Sequence, residues 1–181
     1  MNINLTIKER LLLEDQKSHE QICVQKYNNY ANLASDQQLK ELFQNNANIE
    51  QEHLNTINQL LNGQVPSLNN QQGGSGSQQQ QQQQQQMNQK QIKLSWSQQP
   101  QFTNNVKEQN NAAGSFQFSD KELCTDMLMT EKYVSDAYNT AIFEFKDTQV
   151  RDVLNHIQKE EQKHGEAIYK YMESKGMYTA Q

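Results

Sequence analysis

The sequence predicts an all-α protein, a four-helix bundle made of two helical hairpins with a long low-complexity crossover. Three observations lead there. Residues 1–62 and 118–181 repeat apolar side chains at spacings of three and four, the period of helices that bury one face. These two parts match one another at an offset of 111 residues. Between them, residues 63–117 carry "GGSGS", an unbroken glutamine run from Gln78 to Gln86 and scattered asparagines. That composition has too little apolar surface to offset chain entropy.

The repeat fixes the organisation before any single element is read. Leu12 corresponds to Leu123, Asp15 to Asp126, Glu20 to Glu131, and Tyr27-Asn28 to Tyr138-Asn139. Further along, Asp36 corresponds to Asp147, Gln38 to Gln149, Glu50-Gln51 to Glu161-Gln162, and His53 to His164. The expected plan is therefore a first hairpin in 1–62, a crossover in 63–117 and a second hairpin in 118–181, with the hairpins forming one domain.

The first and third helices start at Thr6–Glu9 and Ser119–Glu122, each a hydroxyl followed three residues later by Glu, the pattern of a capping box. Turns are expected near Ala34–Gln38 and Phe145–Gln149, where Asp36 and Asp147 can cap the second and fourth helices. Gly63 and Gly176 lie where those helices should end, at positions that tolerate positive φ. Each helix would have roughly 25 residues and a length of about 37 Å.

The core stripes name the buried faces. The third helix offers Cys124, Met127, Leu128, Val134, Tyr138, Ala141, Ile142 and Phe145, with Glu131 in the one gap. The fourth offers Val150, Val153, Leu154 and Ile157, then Glu161 and His164, then Ile168 and Tyr171. The second offers Leu39, Leu42 and Phe43, then Glu50 and His53, then Ile57, Leu60 and Leu61. The first is weaker: Leu13, Glu20, Cys23, Tyr27, Tyr30 and Ala34.

Ionisable residues interrupt each stripe at one depth. In an antiparallel hairpin, residues equally far from the turn lie level. Glu20 and Glu50 are centred on residue 35, and Glu131 and Glu161 on residue 146, each inside a turn. Each hairpin thus sets a Glu level with a Glu-x-x-His, whose two members share a helix face. Together the hairpins would converge Glu20, Glu50, His53, Glu131, Glu161 and His164. This is the ligand set of di-iron and di-manganese carboxylate bundles. Two divalent ions cancel the charge of the carboxylates, whereas without metal the buried carboxylates would repel and some would protonate. Oxygen and imidazole donors suit iron or manganese, so two Fe or Mn ions are the expected cofactor, with no organic cofactor. The bland alternative is a metal-free polar layer satisfied by water and hydrogen bonds.

Other candidates are weaker. Tyr27 and Tyr138 are candidate redox side chains, but each lies two turns from the Glu of its own helix and reads as core packing. His19 and His156 fall off the stripes and read as surface residues. Cys23 and Cys124 sit alone, without a CxxC pair, and read as buried free thiols. No Ser/His/Asp set or phosphate-binding glycine loop is present, and no catalytic residue is assigned. The net charge of −5 and the absence of a Lys/Arg block argue against a nucleic-acid partner. Leu11–Leu13 is too short an apolar run for a signal peptide, and no later stretch suits a bilayer span.

The second hairpin also resembles a known family. "EKY" at Glu131, "YNTAI" at Tyr138, "EEQKH" at Glu160 and the closing "KGMY" make Asp126–Tyr178 similar to the Coat F domain of bacterial endospore coat proteins. Residues 1–62 resemble the same unit more loosely. The resemblance implies a ferritin-like fold and a structural protein of the spore coat, made in the mother-cell cytoplasm and deposited among other coat proteins. It does not imply catalysis. A di-metal redox protein that oxidises Fe(II) or removes peroxide or oxygen is the alternative the ligand set offers.

In such a bundle the second and third helices run parallel, so their link must cross the bundle. Roughly 11 extended residues suffice for about 37 Å, and 63–117 is far longer. The surplus is read as a passive spacer or as an arm for stacking or for crosslinking through Gln89, Lys90 and Lys93, with Ile92–Trp96 as its one apolar patch. A link this long also permits a homodimer in which hairpins are swapped.

Overall fold

A computed structural model describes residues 3–66 and 118–178. It is all-α: helices α1 (Ile7–Leu33), α2 (Gln37–Leu61), α3 (Asp120–Ile142) and α4 (Thr148–Ser174) pack as a four-helix bundle. The glutamine run, Ile92–Trp96 and the Gln89–Lys93 segment lie outside the described residues.

Local chemistry sets the helix ends as the sequence suggests. Thr6 and Ser119 both form complete capping boxes, with Glu9 and Glu122 reaching back to the cap backbone. The Asp36 carboxylate accepts from the backbone N–H groups of Gln38 and Leu39, and Asp147 does the same for Gln149 and Val150. These bonds satisfy amides that have no partner within their own helix. Gly63 and Gly176 end α2 and α4 with φ of 79° and 67°, a region that L side chains seldom enter. Gly63 also accepts a backbone hydrogen bond from Ile3 at 2.9 Å, tying the start of the chain to the end of α2.

The hairpins clasp one another reciprocally. Glu9 accepts from the Lys146 backbone N–H at 2.9 Å, in the turn between α3 and α4. Asp120, its counterpart at the offset of 111, accepts from the Ser35 backbone N–H at 2.7 Å, in the turn between α1 and α2. Asp120 also takes the Ser35 hydroxyl and the Asp36 N–H. Lys8 pairs with Glu144, and Lys26 with Asp126. Residue numbers thus rise along α1 as they fall along α3, so these helices are antiparallel. The α2–α4 pair is antiparallel too, because Asp36 meets Lys175 and His53 meets Glu160. It follows that α2 and α3 are parallel. The last turn of α2 packs with Phe145 at one end of the bundle, while α3 begins beside Ser35 at the other.

The core falls into two apolar clusters. One gathers Leu13, Ile57, Leu60, Tyr138, Phe145 and Leu154. The other gathers Tyr27, Leu39, Phe43, Met127, Ile168 and Met172. The expected stripes are buried apart from Leu42 and Tyr30, which are half-buried. The first hairpin is the more polar copy: its buried Gln16 and Asn46 stand where the second has Met127 and Ile157. Cys23 and Cys124 are buried and free, and burial pushes both thiols up, Cys124 to about 12. Among the described residues no helix is long and apolar enough to cross a membrane.

Candidate metal centre

Between the two apolar clusters the four helices meet in a polar layer. α1 supplies Glu20, α2 supplies Glu50 and His53, α3 supplies Glu131, and α4 supplies Glu161 and His164. All six side chains are at most 3% exposed. The structure brings all of them to one depth, and they divide into two overlapping groups. Glu20, Glu50, His53 and Glu161 offer ligand atoms within 4.8 Å of one another, and so do Glu50, Glu131, Glu161 and His164. Glu50 and Glu161, the carboxylates of the two Glu-x-x-His pairs, belong to both groups.

The distances show how the shared carboxylates sit. One Glu50 oxygen lies 2.9 Å from His164 Nδ1 and the other 3.3 Å from His53 Nδ1. Glu161 Oε1 lies 3.0 Å from His53 Nδ1, without the alignment of a hydrogen bond. The two imidazoles stack with centroids 5.8 Å apart. Glu20 Oε2, Glu131 Oε2, both Glu161 oxygens and His164 Nε2 are buried and accept or donate no hydrogen bond. Such orphaned donor atoms cost free energy unless something satisfies them. Two divalent ions fit the chemistry, because each group holds three carboxylates and one imidazole.

Electrostatics explains how the metal-free layer holds together. Burial and the neighbouring Glu50 raise Glu20 to about 7 against the opposing pull of His53. Burial and the facing carboxylates likewise hold Glu161 well above the usual range. For Glu50, burial pushes upward, but the His164 and His53 hydrogen bonds win and bring it to about 2. Burial disfavours charge on the imidazoles, yet the carboxylates prevail, raising His164 to about 9 and His53 well above its ordinary value. Imidazolium–carboxylate pairs therefore offset much of the charge of the layer.

The tyrosines pack in the core as the sequence suggests, and they do more. Tyr27 and Tyr138 do lie two turns from the Glu of their own helix, but each reaches across to the other hairpin. Tyr27 Oη donates to Glu131, and Tyr138 Oη donates to Glu20. Asn46 Nδ2 donates to Tyr27 Oη at 3.0 Å. Packing is only half of their role, since each hydroxyl fixes a carboxylate of the layer. The reading also passed over Glu160, whose Oε2 lies 2.9 Å from His53 Nε2. The Glu160–Glu161 doublet was the available signal, one member facing in and its neighbour backing the imidazole. His19 is half-buried, beside Gln16, and His156 lies on the surface near Glu160.

A groove of about 580 Å³ lies between α3 and α4. Its lining includes the buried Glu131 and Glu161 together with exposed Lys132, Asp136 and Glu166. Gly165 in mid-helix was the sequence signal for this opening.

The comparison with known families decides between the possible relatives of this hairpin: the family model of the Coat F domain matches residues 119–181. The second hairpin is a Coat F domain. It spans α3 and α4 and contains Glu131, Glu161 and His164. Its presence points to a structural role in the spore coat, in association with other coat proteins. No curated protein and no solved structure matches the chain.

Proposed function

We propose that the protein is a structural component of the bacterial endospore coat whose ferritin-like bundle holds a di-metal carboxylate centre. The first half rests on the Coat F domain. The second rests on one observation above all, the two overlapping ligand groups that share Glu50 and Glu161. Glu20 with His53 would complete one position and Glu131 with His164 the other. Iron or manganese suits this donor set, and such ions supply Lewis acidity and one-electron chemistry when bound. The residues' own part is to neutralise the ions and hold them between two dry clusters. The setting implies synthesis in the mother-cell cytoplasm and deposition among other coat proteins. The long 63–117 segment also leaves room for a hairpin-swapped dimer.

Metal analysis of the full chain purified from iron- or manganese-supplemented cells tests the centre. Roughly two ions per chain, lost in Glu131→Ala and in His164→Ala, support it. A metal content near zero in the unaltered chain rejects it. The groove lined by Glu131 and Glu161 favours a second reading, a di-metal redox protein acting on Fe(II), peroxide or oxygen. Repeated turnover of Fe(II) with oxygen by the loaded protein would support that reading. Oxidation that stops at the bound ions leaves the structural one.

A further inference from the structure

The pseudo-twofold repeat makes the departures from symmetry around the centre informative. His53 has Glu160 behind it, 2.9 Å from Nε2, so its Nδ1 is turned toward Glu20, Glu50 and Glu161. The position corresponding to Glu160 at the offset of 111 is Ile49. His164 Nε2 is buried and makes no hydrogen bond. An outer carboxylate fixes the ring and raises the basicity of a ligating imidazole, and only His53 has one.

The second departure is access. The α3–α4 groove is lined by Glu161, which both groups share, and by Glu131, which belongs to the His164 group alone. Gly165 lines it as well, where a Cβ would make only ordinary contact, at 3.7 Å from Leu128 and 3.8 Å from Glu131. The corresponding residue of the first hairpin is Leu54, which is half-buried. Across the groove, Gln158 Nε2 donates to the Ser135 carbonyl at 3.0 Å and links α4 to α3. Its rim carries Asp136, Lys132 and a Glu166 that Lys170 partly neutralises. Glu131 and Glu161, the buried members of the lining, therefore form its floor rather than its rim, and their charge can draw a divalent cation inward.

Resting on the metal reading above, we propose that the two metal positions are unequal. The His53 position is the tight one, and the His164 position is an exchangeable one that divalent cations reach through the α3–α4 groove. One is backed by a carboxylate, and the other lacks that backing and has its own Glu131 on the groove.

Titration of the metal-free full chain with Mn(II), followed by calorimetry and stopped flow, tests this. Two steps of one ion each are expected, with the first tighter. Glu160→Gln should weaken the first step by roughly 10–100-fold and spare the second. Ile49→Glu, which supplies the missing carboxylate behind His164, should tighten the second. Gly165→Leu should slow arrival of the second ion without changing the total bound. The three variants fall on different residues, so failure of one to fold leaves the others decisive. Uptake of no metal by the unaltered chain would overturn both the metal reading and this inference. Two ions bound in one step of equal affinity, a first step unmoved by Glu160→Gln, or an unchanged second rate in Gly165→Leu would overturn the inequality and leave the centre standing.

Discussion

At the scale of single residues, the polar layer sets carboxylates against imidazoles, and their proton affinities oppose one another. Raised values for Glu20, Glu161, His53 and His164 mean that the metal-free protein holds protons that an ion must displace. The sign for stability follows. Glu20 rises from 4.5 to about 7, so its contribution is fully present below 4.5 and is lost as pH rises through 7. His164 rises from 6.5 to about 9, so its contribution is lost as pH rises through 9. Glu50, lowered to about 2, contributes above 4.5 and loses that contribution only as pH falls through 2. Urea denaturation of the metal-free chain should therefore show stability falling between pH 4.5 and 9, and metal should abolish the fall. A metal-free stability that rises across this window would contradict the pairing. Tyr27→Phe removes the donor to Glu131 and strands the Asn46 amide. It should cost about 1–3 kcal/mol, read as a shift in the denaturation midpoint. The six residues of the layer were legible in the sequence because each interrupts an apolar stripe. The Tyr–Glu bonds were not, because they run between hairpins and no spacing within one helix encodes them.

At the scale of elements, the helix boundaries were the most legible feature because their chemistry is local. The Thr6 and Ser119 boxes, the Asp36 and Asp147 caps and the positive-φ glycines all lie within a turn of the boundary they define. Asp147→Ala frees two amides at the start of α4 and should cost about 1 kcal/mol, with metal stoichiometry unchanged. An altered metal content would mean that the α4 register, rather than the cap alone, had moved. The reciprocal clasp of Glu9 on Lys146 and Asp120 on Ser35 was hidden because the capping box already accounts for Glu9, and an acid in a first turn, such as Asp120, is ordinary there. Gln16 and Asn46 were likewise hidden, since polar side chains at helical spacing read as solvated until a partner such as Tyr27 Oη appears.

At the scale of the molecule, the repeat carries the architecture. Two similar hairpins, packed with α1 against α3 and α2 against α4, put a polar layer between two apolar clusters. Such a layer weakens a metal-free bundle, since buried carboxylates without full partners offset part of the apolar gain. Ions bound only by the folded state should reverse this. At a free metal concentration of 100 times Kd the gain is about 2.7 kcal/mol per site, and chelation should lower the thermal midpoint. An equal midpoint with and without chelator would mean that the layer is satisfied by its own ion pairs. The parallel direction of α2 and α3 was legible only through the ferritin-like resemblance, since two like hairpins can also pack up-down-up-down with those helices antiparallel.

The most direct measurement is anomalous scattering from crystals of the full chain grown with manganese. The account predicts two peaks about 3.5–4 Å apart, flanked by Glu50 and Glu161, one beside His53 and the other beside His164. Peaks confined to surface carboxylates, or a layer that holds only water between its side chains, would contradict it.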